Sequence, residues 1–170
     1  RGKQSVEKNF FKLALFVSFF PQLVQGPISR FHDLSETLFS KHYFESNVVV
    51  SGLMRILWGY FKKVVIADRI ITGVTTLIHS PSEYQGAYVF IAMLFYAFEL
   101  YCDFTGGIDI TIGIAEVMGI RVTENFNLPY FSKNIAEYWR RWHISMGTWF
   151  RDYIFYPMSI SKRMGKLTKF

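Results

Sequence analysis

The stretch YQGAYVFIAMLFYAFELYC, Tyr84 to Cys102, carries no charge before Glu99. A helix needs about 20 mostly apolar residues to cross the hydrocarbon core of a bilayer. Lipid offers no partner to backbone polar groups, so a lone spanning segment must be helical. This run therefore predicts a transmembrane helix, and an acid so near its end is expected to face protein or water. Composition agrees: the chain is 51% hydrophobic and 19% aromatic, with 19% charged residues, below the roughly 25% usual in soluble domains. In such a chain a net charge of +6 reads as anchoring to lipid headgroups before nucleic-acid binding. Cys102 is the one cysteine, which excludes an internal disulfide and a cysteine-based zinc centre.

The flanking segments are less regular. Leu13 to Ser29 is an uncharged run broken by Pro21 and ended by Gly26-Pro27, with Gln22 and Gln25 after the break. It reads either as a re-entrant, cavity-lining segment or as a helix that stops at Pro21. His32 and His42 lie in a polar stretch without metal-ligand spacing and read as surface residues. Val48 to Ala67 is amphipathic but holds Arg55, Lys62 and Lys63. It predicts an interfacial or protein-buried helix whose lysines reach headgroups, ended by Asp68 and Arg69. His79, before Ser80-Pro81, reads as loop-exposed. Asp103 and Asp109 flank Gly106-Gly107, expected to be a flexible break between two helices. With Glu99 these acids are expected to supply capping or tunnel polarity, a cation site being the alternative. Arg121 to Lys133 reads as a loop. The basic tail Lys162, Arg163, Lys166 and Lys169 is expected on the cytoplasmic side. A chain opening on Arg1 is expected to be a stretch of a longer membrane protein.

Asn134 to Pro157 has the spacing of one amphipathic helix. Trp139, Trp142, His143, Met146, Phe150 and Tyr153 share a face, opposite Glu137, Arg141, Ser145, Thr148 and Asp152. Asn134 with Glu137 resembles a capping box, Glu137 precedes Arg141 by one helical turn, and Pro157 is the expected stop. His143 is the one group on the aromatic face whose side chain ordinarily titrates near neutral pH.

Five stretches together resemble the membrane-bound O-acyltransferase family: FFPQLVQGPISR (Phe19 to Arg30), GYFKKVVIADR (Gly59 to Arg69), YCDFTGGIDITIG (Tyr101 to Gly113), ENFNLPYFSKNIAEYWRRWHIS (Glu124 to Ser145) and TWFRDYIFYP (Thr148 to Pro157). The branch of alginate O-acetyltransferases is the most similar. The resemblance implies an all-α, integral membrane helical bundle with transmembrane, re-entrant and interfacial amphipathic helices, of which residues 1–170 are a part. It implies a multi-pass protein of the bacterial plasma membrane that moves an acyl group, acetyl in this branch, onto hydroxyls of a cell-envelope polysaccharide or polymer. D-alanyl transfer to teichoic acid is the alternative within the family.

The resemblance further implies two site histidines. His143 matches the first. The second lies on a later apolar helix in the family, and none of His32, His42 or His79 has the context to replace it. Without it, the stretch alone is expected to be inactive. Trp142, Arg140, Asp103 and Asn125 are the substrate-binding candidates. No bound cofactor or metal is expected: the acyl donor, a thioester on a carrier or on a coenzyme A-like group, is a substrate. The expected partners are membrane lipid, the polymer acceptor, and an acyl-carrier or extracytoplasmic transferase protein.

Chemically, an imidazole of near-neutral pKa suits removal of a hydroxyl proton. His143 is also able to position the acceptor or orient a second histidine. The competing reading of the residue is a packed histidine bonded to a nearby carbonyl. For Trp139, Trp142 and Trp149 it is belt or core packing, and for Arg140 and Arg141 a solvated pair. For Arg151 and Asp152, an ion pair and a tunnel mouth stay open. Two other classes compete for the whole chain. One is a non-enzymatic transporter or scaffold with Glu99 on a solute path; the other is a soluble helical domain.

Overall fold

The computed structural model describes residues 7–160, and the expectation for the basic tail lies outside them. Among the described residues the chain is helical with no strand. Its long elements are α3 (Ser46–Tyr60), α4 (Asp68–His79) and α5 (Ala87–Val117); α1 (Phe10–Val17) and α2 (Phe31–Leu38) are short. The C-terminal part holds α6 (Ile135–Arg141), α7 (Ile144–Phe150) and α8 (Tyr156–Ile160).

The helix α5 absorbs the predicted span. It has 31 residues and is apolar enough to cross a membrane; at 1.5 Å per residue it measures about 46 Å. Its first half is bare and apolar, with Phe90, Met93, Leu94 and Phe95 exposed, whereas Cys102, Thr105, Gly106, Ile108 and Thr111 in its second half are buried. The predicted break at Gly106-Gly107 does not form. Both glycines lie inside α5, and each is needed for contact, not bending. A Cβ on Gly106 would stand 2.9 Å from the Gly59 carbonyl oxygen, and one on Gly107 would overlap the Gln25 side chain.

Gly59 and Gly106 form one of two such crossings. At the other, a Cβ on Gly52 would lie 2.8 Å from the Gly113 carbonyl oxygen and one on Gly113 2.7 Å from that of Gly52. The pairs are one heptad apart on each helix, so α3 and α5 run antiparallel with backbones in contact. This is how helices pack where small residues, not a hydrophobic core, set the separation.

Charges fill the same interface. Arg55 Nε donates to Asp109 Oδ1 at 3.0 Å, and its two terminal nitrogens donate to Glu124 at 2.6 Å each. Lys62 pairs with the other Asp109 oxygen and Lys63 with Asp103. The lysines therefore do not both reach for headgroups: Lys62 is 8% exposed and turned inward. The outer side of α3 carries exposed Leu53, Met54, Leu57 and Trp58. An apolar exterior over a paired, charged interior suits lipid, where ionisable groups face protein, and is the reverse of a soluble domain.

Asp68 and Arg69 do not end α3. The chain passes through a π-helical turn, Phe61–Ala67, into α4 with helical backbone angles throughout. The aspartate's backbone simply continues the helix, and its side chain lies 3.5 Å from Lys63 Nζ. His79 closes α4 and is exposed. At the N-terminal side, α1 stops at Val17, before Pro21, which starts a single 3-10 turn, Phe20–Gln22. A small core of Phe19, Leu34, Leu38, Ala115 and Ile120 docks this region onto the end of α5.

Candidate functional site

The helix expected over Asn134–Pro157 starts as predicted and then breaks. Asn134 Oδ1 accepts from the Glu137 N–H at 2.8 Å, and Arg141 pairs with Glu137 at 2.6 Å. The reciprocal half of the capping box shifts by one residue, since Glu137 Oε2 accepts from the Lys133 N–H instead. Those bonds, with Lys133 first and Arg141 second, hold the Glu137 carboxyl below its usual range. α6 ends at Arg141. Trp142 is extended, and His143 takes a left-handed conformation at φ 46°, ψ 56°. A non-glycine residue held there stores roughly 1–3 kcal/mol. Pro157 does not stop the helix either: a π-helical turn, Arg151–Phe155, carries α7 straight into α8 with helical backbone angles, and Pro157 follows that turn.

Two sets of contacts make the break. The first is aromatic. Trp142 is buried at 8% exposure. It stacks on Tyr138 with centroids 5.6 Å apart and meets Phe126 edge-on at 5.0 Å, within a cluster that adds Tyr101, Phe104 and Tyr130. A continuous helix would turn Trp142 and His143 apart by about 100° on one cylinder. Here the indole goes inward while the imidazole packs beside Phe104, ring centroids 4.9 Å apart.

The second set is polar. Asn125 is fully buried. Its carbonyl accepts from the Ile144 N–H at 2.9 Å, and its side-chain Oδ1 accepts from the Ser145 N–H at 2.9 Å. His143 Nδ1 accepts from the Met146 N–H at 3.3 Å, and the His143 carbonyl accepts from Gly147 at 3.1 Å. Of the N–H groups that a helix start leaves without intrahelical partners, those of Ile144, Ser145 and Met146 are satisfied here, two of them by Asn125. From the other side, Ser145 Oγ accepts from the Ile28 N–H at 3.0 Å, and Arg30 pairs with Asp152. Arg151 and Arg30 together hold the Asp152 carboxyl down to about 2. The QGPIS segment is thereby pinned against the corner.

Burial among these rings pushes the His143 imidazole below its ordinary value, so it is neutral at pH 7. Ser29 Oγ and Asn125 Nδ2, linked to each other through Ile28 and Ser145, are enclosed and make no hydrogen bond among the described residues, nor does Gln22 Nε2. Leaving a buried donor unmade costs about 1–3 kcal/mol.

Sequence profiles add the family. That of the membrane-bound O-acyltransferases matches residues 3–170. The chain belongs to this family. It is 37% identical to a protein named probable alginate O-acetylase AlgI from Pseudomonas fluorescens, over 100% of this chain and 34% of the relative. A peptidoglycan O-acetyltransferase of Helicobacter pylori is 36% identical over 88% of the chain and 29% of its own length. A teichoic acid D-alanyltransferase of Bacillus subtilis is 32% identical over 85% of the chain and 37% of its own length. The chain thus spans about a third of the length of the curated relatives it matches.

Of the residues predicted for the site, the fold brings His143, Trp142 and Asn125 together. Trp142 is enclosed by other rings and anchors the corner. Asp103 and Arg140 are elsewhere. Asp103 is paired with Lys63 at the α3–α5 side, and Arg140 is exposed on α6 with no partner among the described residues. Sequence reasoning missed Ser145 and Phe104. A phenylalanine between an aspartate and a threonine gave no sign of facing a histidine, and Ser145 was assigned to the polar face of a helix that does not exist.

Proposed function

We propose that this chain forms part of a membrane O-acyltransferase that moves an acetyl group from a thioester donor onto hydroxyls of a cell-envelope polysaccharide. The observation that carries the reading is the similarity along nearly the whole chain to an alginate O-acetylase and a peptidoglycan O-acetyltransferase. Acetyl transfer is favoured over D-alanyl transfer because identity to the teichoic acid D-alanyltransferase is lower. The reading places the protein in a bacterial plasma membrane as a multi-pass bundle, with α5 as one span. Its partners are an acyl-carrying protein or small thioester on one side and the polymer, reached directly or through a second transferase, on the other. The donor is a substrate, and no resident cofactor or metal is invoked.

In this reaction a hydroxyl oxygen attacks the thioester carbonyl. A C–O bond forms, the C–S bond breaks, and the hydroxyl proton passes through a base to the departing thiolate. His143 is placed at this centre because it is neutral, flanked by aromatic rings and held in a strained backbone. The second histidine implied by the family supplies the other group. The test is the full-length protein with His143→Ala, expressed in cells whose own gene is deleted. Polymer-bound acetate, released by mild base, is expected to fall to the level of the deletion while the protein still inserts. Normal acetylation would remove His143 from the centre.

A further inference from the structure

We infer that Asn125 is a positioning residue that fixes His143 as an Nε2–H donor, so that His143 holds the acyl carbonyl oxygen and is not the base. The inference rests on the acyl-transfer reading above. It starts from the proton inventory of the ring. A backbone N–H points at Nδ1 of His143 from Met146. An N–H donates only to an unprotonated nitrogen, so the single proton of the neutral imidazole sits on Nε2. A base needs a free lone pair facing the substrate, and in this tautomer the only lone pair is already used to start α7.

Asn125 makes that tautomer obligatory. By accepting from Ile144 and Ser145 it places the first turn of α7 beside its own buried backbone, which leaves the Met146 N–H to the ring of His143. The amide orientation of Asn125 follows from the same bonds, since only oxygen accepts from the Ser145 N–H. Ser145 Oγ then ties the corner to Ile28. Among the described residues, Nε2 takes no hydrogen bond, and it remains the one ring atom available to a reactant.

The step balances with this assignment. Nε2–H donates to the thioester carbonyl oxygen and strengthens that bond as negative charge gathers there. The acceptor hydroxyl oxygen attacks the carbonyl carbon, its proton goes to a base other than His143, and the thiolate leaves and takes that proton. His143 ends as it began.

Two measurements on the full-length protein in detergent test this. The first is the 15N spectrum of histidine-labelled protein, with the His143 resonances assigned by their loss in His143→Gln. The expected result is a protonated Nε2 and an unprotonated, hydrogen-bonded Nδ1 in the unmodified protein. A protonated Nδ1 would overturn the inference whatever reaction the protein performs. The second is polymer-bound acetate in cells at matched membrane abundance. Asn125→Leu is expected to lower transfer by about 100-fold, the scale set by misplacing a reacting group. Asn125→Asp, which keeps the acceptor, is expected to regain at least about tenfold of that. Glutamine retains an N–H donor near the Nε2 position, so His143→Gln is expected to transfer at least about tenfold faster than His143→Ala. Equal loss in the two His143 variants, or unchanged transfer in Asn125→Leu, would contradict it. Should Asn125→Leu fail to accumulate, the unmodified protein's spectrum and the two His143 variants still decide. Absence of acetylation in the unmodified protein with the expected tautomer would fault the acetyl reading alone.

Discussion

The α3–α5 pair and the His143 corner solve opposite problems with the same kinds of residue. Along α3 and α5, glycines let two regular helices touch, and the two aspartates of α5 meet bases: Asp109 takes Arg55 and Lys62, and Asp103 takes Lys63. At the corner, aromatic packing and one asparagine force an irregular backbone, and two polar groups, Ser29 Oγ and Asn125 Nδ2, stay unmatched. The first region is satisfied and regular, as a scaffold needs to be. The second is strained and incompletely paired, which is where function usually concentrates.

Breaking the first region is expected to destroy the protein, not its chemistry. Asp109→Ala strands Lys62, which is nearly buried, and leaves Arg55 with Glu124 alone. Removing one partner of a buried pair costs about 3–5 kcal/mol, so thermal denaturation in detergent should show the largest loss here. Gly59→Val comes next. Its Cβ would stand 2.6 Å from the Gly106 carbonyl oxygen, and overpacking of this kind costs roughly 1–3 kcal/mol. Both variants should lower membrane abundance and acetylation in proportion. Acetylation lost at unchanged abundance would move these residues into the site.

Acid separates the regions differently. The His143 pKa lies below the ordinary value because the ring is desolvated, and the groups against it, Phe104 and Phe126, carry no charge. The folded state therefore binds fewer protons than the unfolded one. The stability it contributes is complete above the unfolded pKa of about 6.5 and is lost as pH falls through that value toward the folded pKa. Protonation also removes the acceptor for the Met146 N–H. Transfer by the full-length protein is expected to hold down to about pH 6.5 and decline only below it. The smallest effect is expected from Arg141→Gln. It removes a surface pair with Glu137, of a kind that contributes little in water, and its denaturation midpoint should stay within measurement scatter.

Local signals in the sequence proved legible in proportion to how local they were. The apolar run in α5, the Asn134 cap and the Glu137–Arg141 pair depend on neighbours within one turn, and each is present. The glycine pair at 106–107 was misread because flexibility and close contact demand the same residue, and only the facing Gly59 and Gln25 distinguish them. The break at Trp142–His143 was illegible for a stronger reason. The spacing through it satisfies a helix, and what overrides that spacing is Asn125, brought in from a separate loop. The fold does not bring Asp103 and Arg140 to the corner, since a charge near a motif says nothing about which side of its helix faces the motif. The family resemblance singles out His143, while its left-handed backbone came only with the fold.

The division between scaffold and site is tested most directly by one paired measurement. Full-length His143→Ala and Gly59→Val would be compared for membrane abundance and for polymer-bound acetate per molecule of inserted protein. The expected result is normal abundance with acetate at the deletion level for His143→Ala, and reduced abundance with near-normal acetate per molecule for Gly59→Val. Normal acetate per molecule in His143→Ala would contradict the account.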